Sequence, residues 1–352
     1  EVGEVMTQVW NGTDLEYNQG WQGGQTIWNS TSQEWVIEEV DKWIYESTSL
    51  EKFQDKKLHD TIWDIYTSIT PRQIIEEIDT FLIETDDSGG GAAHVARCIN
   101  EVEYGCGPPD VSNSKWVINF DPLDMAPTSG QREALFQPGK LKDALEVNAL
   151  KSTLIHENAH IISLSASQSD NDLIGYEEIC DDRLEDGSID WEECDDGEIR
   201  RTFAQKAAIC APNFYDEWSG CMKENSYLNK FFQKFWTEIY PEYYYGGEQV
   251  ISTSAFHQKY YDQFVTWYSA SHPSEDFAES FTAFVLWDDE AIANHKKWCK
   301  KEGWNIISEP GWSYWKWCEN IYRDNSIWEE KVRFFYDFPE LVEMRDFIRS
   351  NL

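Results

Sequence analysis

Residues 150–164 read LKSTLIHENAHIISL. Within this stretch His156 and His160 are four positions apart, and Glu157 directly follows the first histidine. On a helix of about 3.6 residues per turn, positions four apart lie on one face, so both imidazoles could bind a single metal ion. Glu157 lies to the side of that face, where it can deprotonate a water molecule. The stretch therefore predicts a helix that carries two metal ligands and a base.

The same helix is predicted to begin near Lys142 and to bury one apolar side. That side comprises Val147, Leu150, Leu154, Ile161 and Leu164. A chain with seven histidines also produces a His-Glu-x-x-His pattern by chance in some random orders, so the metal interpretation requires a third ligand. A third histidine after a glycine turn is excluded, because the residues that follow His160 read IISLSAS.

A second helix supplies a candidate for the third ligand. Residues 271–284 read SHPSEDFAESFTAF, in which Ser271 suits the position before the helix and Pro273 suits its first turn. Glu275 and Glu279 are four positions apart and share a face, so one carboxylate can bind the metal while the other accepts a hydrogen bond from a ligand imidazole. The alternative interpretation is an ordinary exposed acidic face.

The segments HENAH and YSASHPSEDFAESF (268–281) together resemble those of the glutamate-ligand zinc metallopeptidases, the gluzincins. The resemblance is closest to the branch that contains anthrax lethal factor and the secreted Pro-Pro endopeptidases. It implies a Zn²⁺ cofactor whose ligands are His156, His160 and Glu275, and it assigns the general base to Glu157. The interval between His160 and Glu275 is longer than is usual in the family, so substrate preference is not carried over.

The resemblance also implies roles for residues around the ligands. In this branch a tyrosine precedes the first glutamate of the helix by seven residues, and here that position is Tyr268. Tyr268 would donate a hydrogen bond to the developing oxyanion, and Glu279 would accept one from a ligand imidazole. The family pairs an extended substrate with an edge strand near the zinc. The best candidate for that strand comprises Gly91, Ala92, Ala93, His94 and Val95.

Three short segments predict one small β-sheet. Residues 78–87, 91–99 and 115–122 are rich in β-forming residues and are separated by Gly, Pro, Asn and Ser. With the helices they indicate an α+β protein. The resemblance specifies this class as zincin-like, with a small mixed sheet and the His-Glu-x-x-His helix in an N-terminal lobe and a mainly helical C-terminal lobe.

Two domains are predicted. Residues 1–70 form an aromatic-rich helical extension, because residues 32–46 and 58–69 both carry apolar residues at helical spacing. In the second of these segments the apolar stripe comprises Ile62, Ile65, Tyr66 and Ile69. Residues 71–352 form the zincin-like metallopeptidase domain, with a cysteine-rich acidic insertion at about 166–225.

The acidic insertion partly follows the pattern of a calcium-binding loop. The residues at the expected offsets include Asp182, Asp186, Asp190 and Glu193. Leu184, however, occupies a position that should supply an oxygen ligand. Two interpretations therefore remain, a Ca²⁺ site and a solvated acidic insertion without a metal.

Composition limits the partners and the location. A formal net charge of −36 argues against nucleic acid and anionic membrane surfaces, which both require a basic face. The sequence contains no apolar run of about 18 residues, so it predicts no membrane-spanning helix. Eight cysteines without a C-x-x-C pair favour disulfides in a secreted protein, with Cys98–Cys106 and Cys299–Cys318 spaced as local staples. The alternative is a cytosolic protein with buried free thiols.

The sequence thus predicts a monomeric, secreted, zinc-dependent endopeptidase that acts on a protein or peptide substrate. Two alternatives stay open at this stage. One is a catalytically silent zincin-fold protein that binds a partner through its aromatic N-terminal region and acidic surface. The other is an enzyme with the same site chemistry that cleaves peptidoglycan cross-links.

Overall fold

The computed structural model describes residues 24–29, 34–37, 56–85, 93–97, 116–121, 147–170, 203–217, 219–245, 248–287, 293 and 327–352. The chain forms two compact units, one of residues 1–162 with 278–352 and the other of residues 163–277. Both units contain helices and short strands, in agreement with the predicted α+β class. Within the described ranges, no helix is long and apolar enough to cross a membrane.

The first unit contains a five-stranded sheet with the order β2-β1-β3-β5-β4. Its strands are β1 (Gly24–Asn29), β2 (Glu34–Ile37), β3 (Ile78–Thr85), β4 (Ala93–Arg97) and β5 (Trp116–Phe120). β3 and β5 are parallel, whereas the other neighbours are antiparallel, so the sheet is mixed. The three strands that the sequence predicts at 78–87, 91–99 and 115–122 are confirmed.

β5 lies between β3 and β4 and is buried along its whole length. Its sequence WVINF is almost entirely apolar, which is the pattern of a strand covered on both faces. β4 is the last strand of the described sheet on that side and is mostly half-buried. β4 is thus an edge of the described sheet, and its role as the substrate-pairing strand stays a prediction.

The prediction of a helix at residues 32–46 is wrong for Glu34–Ile37, which form β2. Trp35, Val36 and Ile37 are consecutive β-forming residues, and their pairing with β1 outweighs the weak helical spacing of the segment. The rest of that segment lies outside the described residues. β1 in turn pairs with β3, so strands from the first 70 residues belong to the main sheet. The domain boundary at residue 70 and the insertion at 166–225 stay predictions.

The predicted helix at 58–69 is confirmed as Lys56–Ile69. Its predicted apolar stripe of Ile62, Ile65, Tyr66 and Ile69 is buried. The ring centroids of Trp63 and Tyr66 lie 5.3 Å and 5.1 Å from that of Phe81 on β3. This aromatic contact packs the helix against the sheet.

The helix with the two histidines is Val147–Leu164, hereafter the histidine helix. Leu150, Leu154, Ile161 and Leu164 are buried, as predicted, and the predicted start near Lys142 lies outside the described residues. The helix with the two glutamates is Pro273–Leu286, hereafter the carboxylate helix. The described helices that lie wholly in the first unit also include Arg72–Ile75, Ile327–Phe334 and Pro339–Ser350, with a 3₁₀ turn at Phe335–Asp337.

The second unit combines short helices with two small sheets. Its helices are Phe203–Cys210, Tyr227–Phe235, Tyr240–Tyr243 and Thr253–Lys259, with 3₁₀ turns at Tyr261–Gln263 and Tyr268–Ser271. Its strands are β6 (Ser169–Asp170), β7 (Tyr215–Asp216), β8 (Gly220–Met222), β9 (Tyr244–Tyr245) and β10 (Glu248–Gln249). A disulfide joins Cys210 to Cys221 and ties the first of these helices to β8. The predicted staples Cys98–Cys106 and Cys299–Cys318 lie outside the described residues.

Candidate metal centre

The two histidines of the histidine helix face one point. The Nε2 atom of His160 lies 3.1 Å from the Nε2 atom of His156, and the ring centroids are 4.8 Å apart. Both residues are buried, with 8% and 7% of their surface exposed. Positions four apart lie one turn above each other on a helix, which accounts for this convergence. The predicted pairing of His156 and His160 is therefore present in the structure.

Glu279 contacts the first histidine from the carboxylate helix. Its Oε1 atom lies 2.9 Å from the Nδ1 atom of His156. When Nδ1 of a neutral imidazole carries the proton and donates it to a carboxylate, the lone pair is left on Nε2. The nitrogen that faces His160 is then the one able to bind a metal. Glu279 therefore lies where the sequence predicts a partner for a ligand imidazole.

Glu275 completes a group that could hold a metal ion. His156, His160 and Glu275 each offer one ligand atom, and these atoms all lie within 4.8 Å of one another. Glu275 is half-buried in the first turn of the carboxylate helix, one turn before Glu279. The structure thus brings together the three ligands that the sequence predicts from two distant segments.

Glu157 directly follows His156 in the sequence, and its side chain is buried. Its negative charge acts on Tyr66 of the helix Lys56–Ile69. Burial raises the pKa of Tyr66 well above its usual value. A hydrogen bond to Thr70 opposes this increase, and the negative charge of Glu157 adds to it. The carboxylate of Glu157 therefore lies within electrostatic range of the Tyr66 hydroxyl.

Buried hydrogen bonds attach the histidine helix, at the residue after Glu157, to residues 66 and 70. The Tyr66 hydroxyl donates to Oδ1 of Asn158 at 2.9 Å, and Nδ2 of Asn158 donates to Oγ1 of Thr70 at 3.0 Å. All three side chains are almost completely buried. Because buried polar groups need partners, these bonds favour one rotation of the helix about its axis. The network was not predicted, since nothing in the local spacing links residues so far apart in the chain.

Tyr268 begins the 3₁₀ turn that leads into the carboxylate helix. Its side chain is 46% exposed, so the phenol is accessible to a ligand. The turn itself is well held, because Oγ of Ser271 donates to the carbonyl oxygen of Tyr268 at 2.7 Å. The predicted role of Tyr268 toward an oxyanion stays a prediction.

The remaining predicted sites are described only in part. Ala93, His94 and Val95 lie in β4, whereas Gly91 and Ala92 lie outside the described residues. The Nε2 atom of His94 lies 2.5 Å from Nδ2 of Asn119, and burial lowers the pKa of His94 to about 4. His94 is thus a packing residue of the sheet. The calcium prediction also falls outside the described residues, for all of Asp182, Asp186, Asp190 and Glu193.

Comparison with known proteins yields no match: no family model, no curated protein and no solved structure corresponds to this chain. The gluzincin resemblance therefore depends on the two motifs alone. The interpretation of the site depends on the chemistry and geometry of its residues.

Proposed function

We propose that this chain is a secreted zinc-dependent endopeptidase of the glutamate-ligand, or gluzincin, type with a zincin-like fold. The observation that carries the proposal is the group formed by His156, His160 and Glu275. Two imidazoles and one carboxylate are a common donor set of catalytic zinc, and they leave a fourth position for water or substrate. The adjacent Glu157 supplies the base that this chemistry needs.

The spacing of the donor atoms supports zinc. In a tetrahedral site with bonds of about 2.0–2.1 Å, two ligand atoms lie about 3.3 Å apart. The two Nε2 atoms are 3.1 Å apart, close to that separation. A carboxylate oxygen of Glu275 lies within 4.8 Å of a ring nitrogen of each histidine. The 2.9 Å contact between Nδ1 of His156 and Oε1 of Glu279 places a carboxylate beside the nitrogen opposite the metal-facing one, as suits a metal-binding imidazole.

The residues of the site divide the work of peptide hydrolysis. Zinc held by His156, His160 and Glu275 would supply Lewis acidity that polarises the scissile carbonyl and lowers the pKa of a water molecule. Glu157 takes the proton of the attacking water and delivers it to the nitrogen of the leaving amine. Tyr268 donates a hydrogen bond to the carbonyl oxygen as negative charge develops there, a contribution of about 3 kcal/mol in comparable sites.

The substrate in this proposal is an extended protein or peptide segment. β4 is an edge of the described sheet, and an extended peptide can add to such an edge through main-chain hydrogen bonds. Location outside the cell is supported by the Cys210–Cys221 disulfide, since such bonds persist in oxidising compartments.

The test is the substitution Glu157→Gln, which keeps the shape of the side chain and removes its basicity. We expect the variant to bind zinc as the wild type does and to lose about 100-fold or more of its hydrolysis of a fluorogenic peptide library. Glu343→Gln, the same change at an exposed position of the helix Pro339–Ser350, is the matched control and should retain full activity.

Two outcomes would contradict the proposal. If the zinc-loaded wild type cleaves no member of the library, the catalytically silent binding protein becomes the better account. If Glu157→Gln hydrolyses the library as fast as the wild type, Glu157 is not the base. Cleavage confined to cross-linked peptidoglycan fragments would keep the chemistry and change the substrate class.

A further inference from the structure

Glu275 occupies the first turn of the carboxylate helix, where a helix is least held by its own backbone. The first turn lacks several of the intrahelical hydrogen bonds that stabilise the interior. A metal ligand placed there needs contacts from other elements to keep its geometry. The second unit contains such contacts on both sides of Glu275.

Trp236 provides the contact that follows Glu275 in the chain. Its Nε1 atom donates to Oδ2 of Asp276 at 2.7 Å, and both side chains are completely buried. A buried carboxylate is costly without a donor, and a hydrogen bond to an ionised group is among the stronger ones. The Trp236 ring is itself fixed by Phe256 and Phe264, with centroids 5.8 Å and 5.5 Å away.

Tyr243 provides the contact that precedes Glu275. Its hydroxyl donates to the carbonyl oxygen of Ser271 at 2.7 Å, at the end of the 3₁₀ turn that leads into the helix. Between Ser271 and Asp276 the backbone forms a hydrogen-bonded turn, because the N–H of Asp276 donates to the carbonyl oxygen of His272 at 3.0 Å. Glu275 is therefore held between residues 271 and 276, each tied to a buried aromatic side chain.

We propose that Trp236 and Tyr243 are positioning residues that hold the first turn of the carboxylate helix so that Glu275 can bind the metal. Neither side chain is part of the ligand group; each acts through the backbone or through Asp276. The inference rests on the proposed function only in taking Glu275 as a zinc ligand. It gives Trp236 and Tyr243 a function beyond packing.

The experiment compares Trp236→Phe with Trp328→Phe in the full chain. Trp328 is also a buried tryptophan, in the helix Ile327–Phe334, and its ring packs on Trp287 at 6.1 Å. Both substitutions remove one indole from a core, but only the first removes an N–H that donates to Asp276. We expect Trp236→Phe to weaken zinc binding about 10- to 100-fold, as loss of a group that orients a ligand does, and Trp328→Phe to leave it unchanged.

Zinc affinity is measured by competition with a chelating dye, and thermal unfolding is measured alongside it. A purely structural role lowers the melting temperature of both variants and leaves the zinc dissociation constant of the folded protein unchanged. A second readout is the visible spectrum of the Co²⁺-substituted protein, whose bands should change in Trp236→Phe and not in Trp328→Phe. Tyr243→Phe, which deletes a single hydroxyl, should change both readouts in the same direction and serves if Trp236→Phe does not fold.

Equal zinc affinity and equal Co²⁺ spectra in the wild type, Trp236→Phe and Tyr243→Phe would overturn this inference and leave the proposed function intact. A wild type that binds zinc and hydrolyses nothing would overturn the proposed function and leave the positioning role standing. A wild type that binds no zinc would overturn both.

Discussion

Glu279 contacts the nitrogen of His156 that does not face the second histidine. Its Oε1 atom lies 2.9 Å from Nδ1, and a proton held on Nδ1 by this carboxylate leaves the lone pair on Nε2, the atom that lies 3.1 Å from His160. Without this partner the imidazole could place its proton on either nitrogen and rotate. One carboxylate outside the ligand group thus prepares the ligand for the metal.

The substitution Glu279→Gln tests this role. The amide keeps an oxygen that can accept the Nδ1 proton, but it lacks the negative charge that strengthens the bond. We expect zinc affinity to fall about 10- to 100-fold, measured by competition with a chelator. The control is the exposed Glu343→Gln, which should bind zinc as the wild type does. An unchanged dissociation constant in Glu279→Gln would show that Glu279 does not act on the metal site.

At the scale of residues, the sequence predicts those contacts that the spacing of residues along one helix determines. His156 and His160, like Glu275 and Glu279, are four positions apart, and helix geometry places each pair on one face. Trp236 and Asp276 have no such relation, because their contact depends on how separate elements pack. The hydrogen bond between the buried Trp236 and Asp276 therefore follows from the fold and was not predicted from the sequence.

At the scale of elements, the histidine helix is joined to the helix Lys56–Ile69 by polar groups as well as by apolar packing. The bonds of Asn158 to Tyr66 and Thr70 are buried, so any other rotation of the histidine helix leaves polar atoms without partners. Such a network selects one arrangement among several that would bury similar apolar area. The helix Lys56–Ile69 therefore contributes to the orientation of the metal-binding face.

The strands show where local patterns mislead. Residues 116–120 form a buried run that predicts a strand, and the structure contains it. Glu34–Ile37 lies in a segment whose apolar residues also fit helical spacing, and the prediction of a helix there was wrong. Pairing with β1 decides the outcome, and strand pairing is a non-local interaction that periodicity does not report.

His94 on β4 lies opposite Asn119 on β5. Because His94 is buried there, we expect the stability of the protein to depend on pH. Burial lowers the pKa of His94 to about 4 in the folded protein, against about 6.5 in the unfolded chain. Between pH 6.5 and 4 the unfolded chain binds a proton that the folded protein does not. The free energy of unfolding therefore decreases as the pH falls through this range, by at most about 3 kcal/mol from His94.

Urea denaturation of the metal-free wild type and of His94→Gln at several pH values measures this contribution. The wild type should lose more stability than His94→Gln between pH 6.5 and 4, and the difference should level off below pH 4. Parallel stability curves for the two proteins would mean that His94 titrates alike in the folded and unfolded chains.

At the scale of the whole molecule, the site joins two segments that are far apart in the chain. Helical spacing predicts each pair of residues, but it gives no reason for the two helices to meet; that expectation came from the need of a catalytic zinc for a third ligand and from the resemblance to gluzincins. Disulfide pairing is equally non-local, since eight cysteines allow on the order of 100 pairings. The Cys210–Cys221 bond is therefore a result of the fold and not of the sequence pattern.

The most direct test of the account is the coordination of zinc in the complete chain. X-ray absorption spectroscopy of the zinc-loaded protein, with metal content measured in parallel, reports the number and type of the atoms bound to the ion. We predict one zinc per chain with two imidazole nitrogens and one carboxylate oxygen at about 2.0–2.2 Å, and loss of this zinc in His160→Ala and Glu275→Ala. Sulfur ligands, or zinc that both variants bind as tightly as the wild type does, would contradict the account.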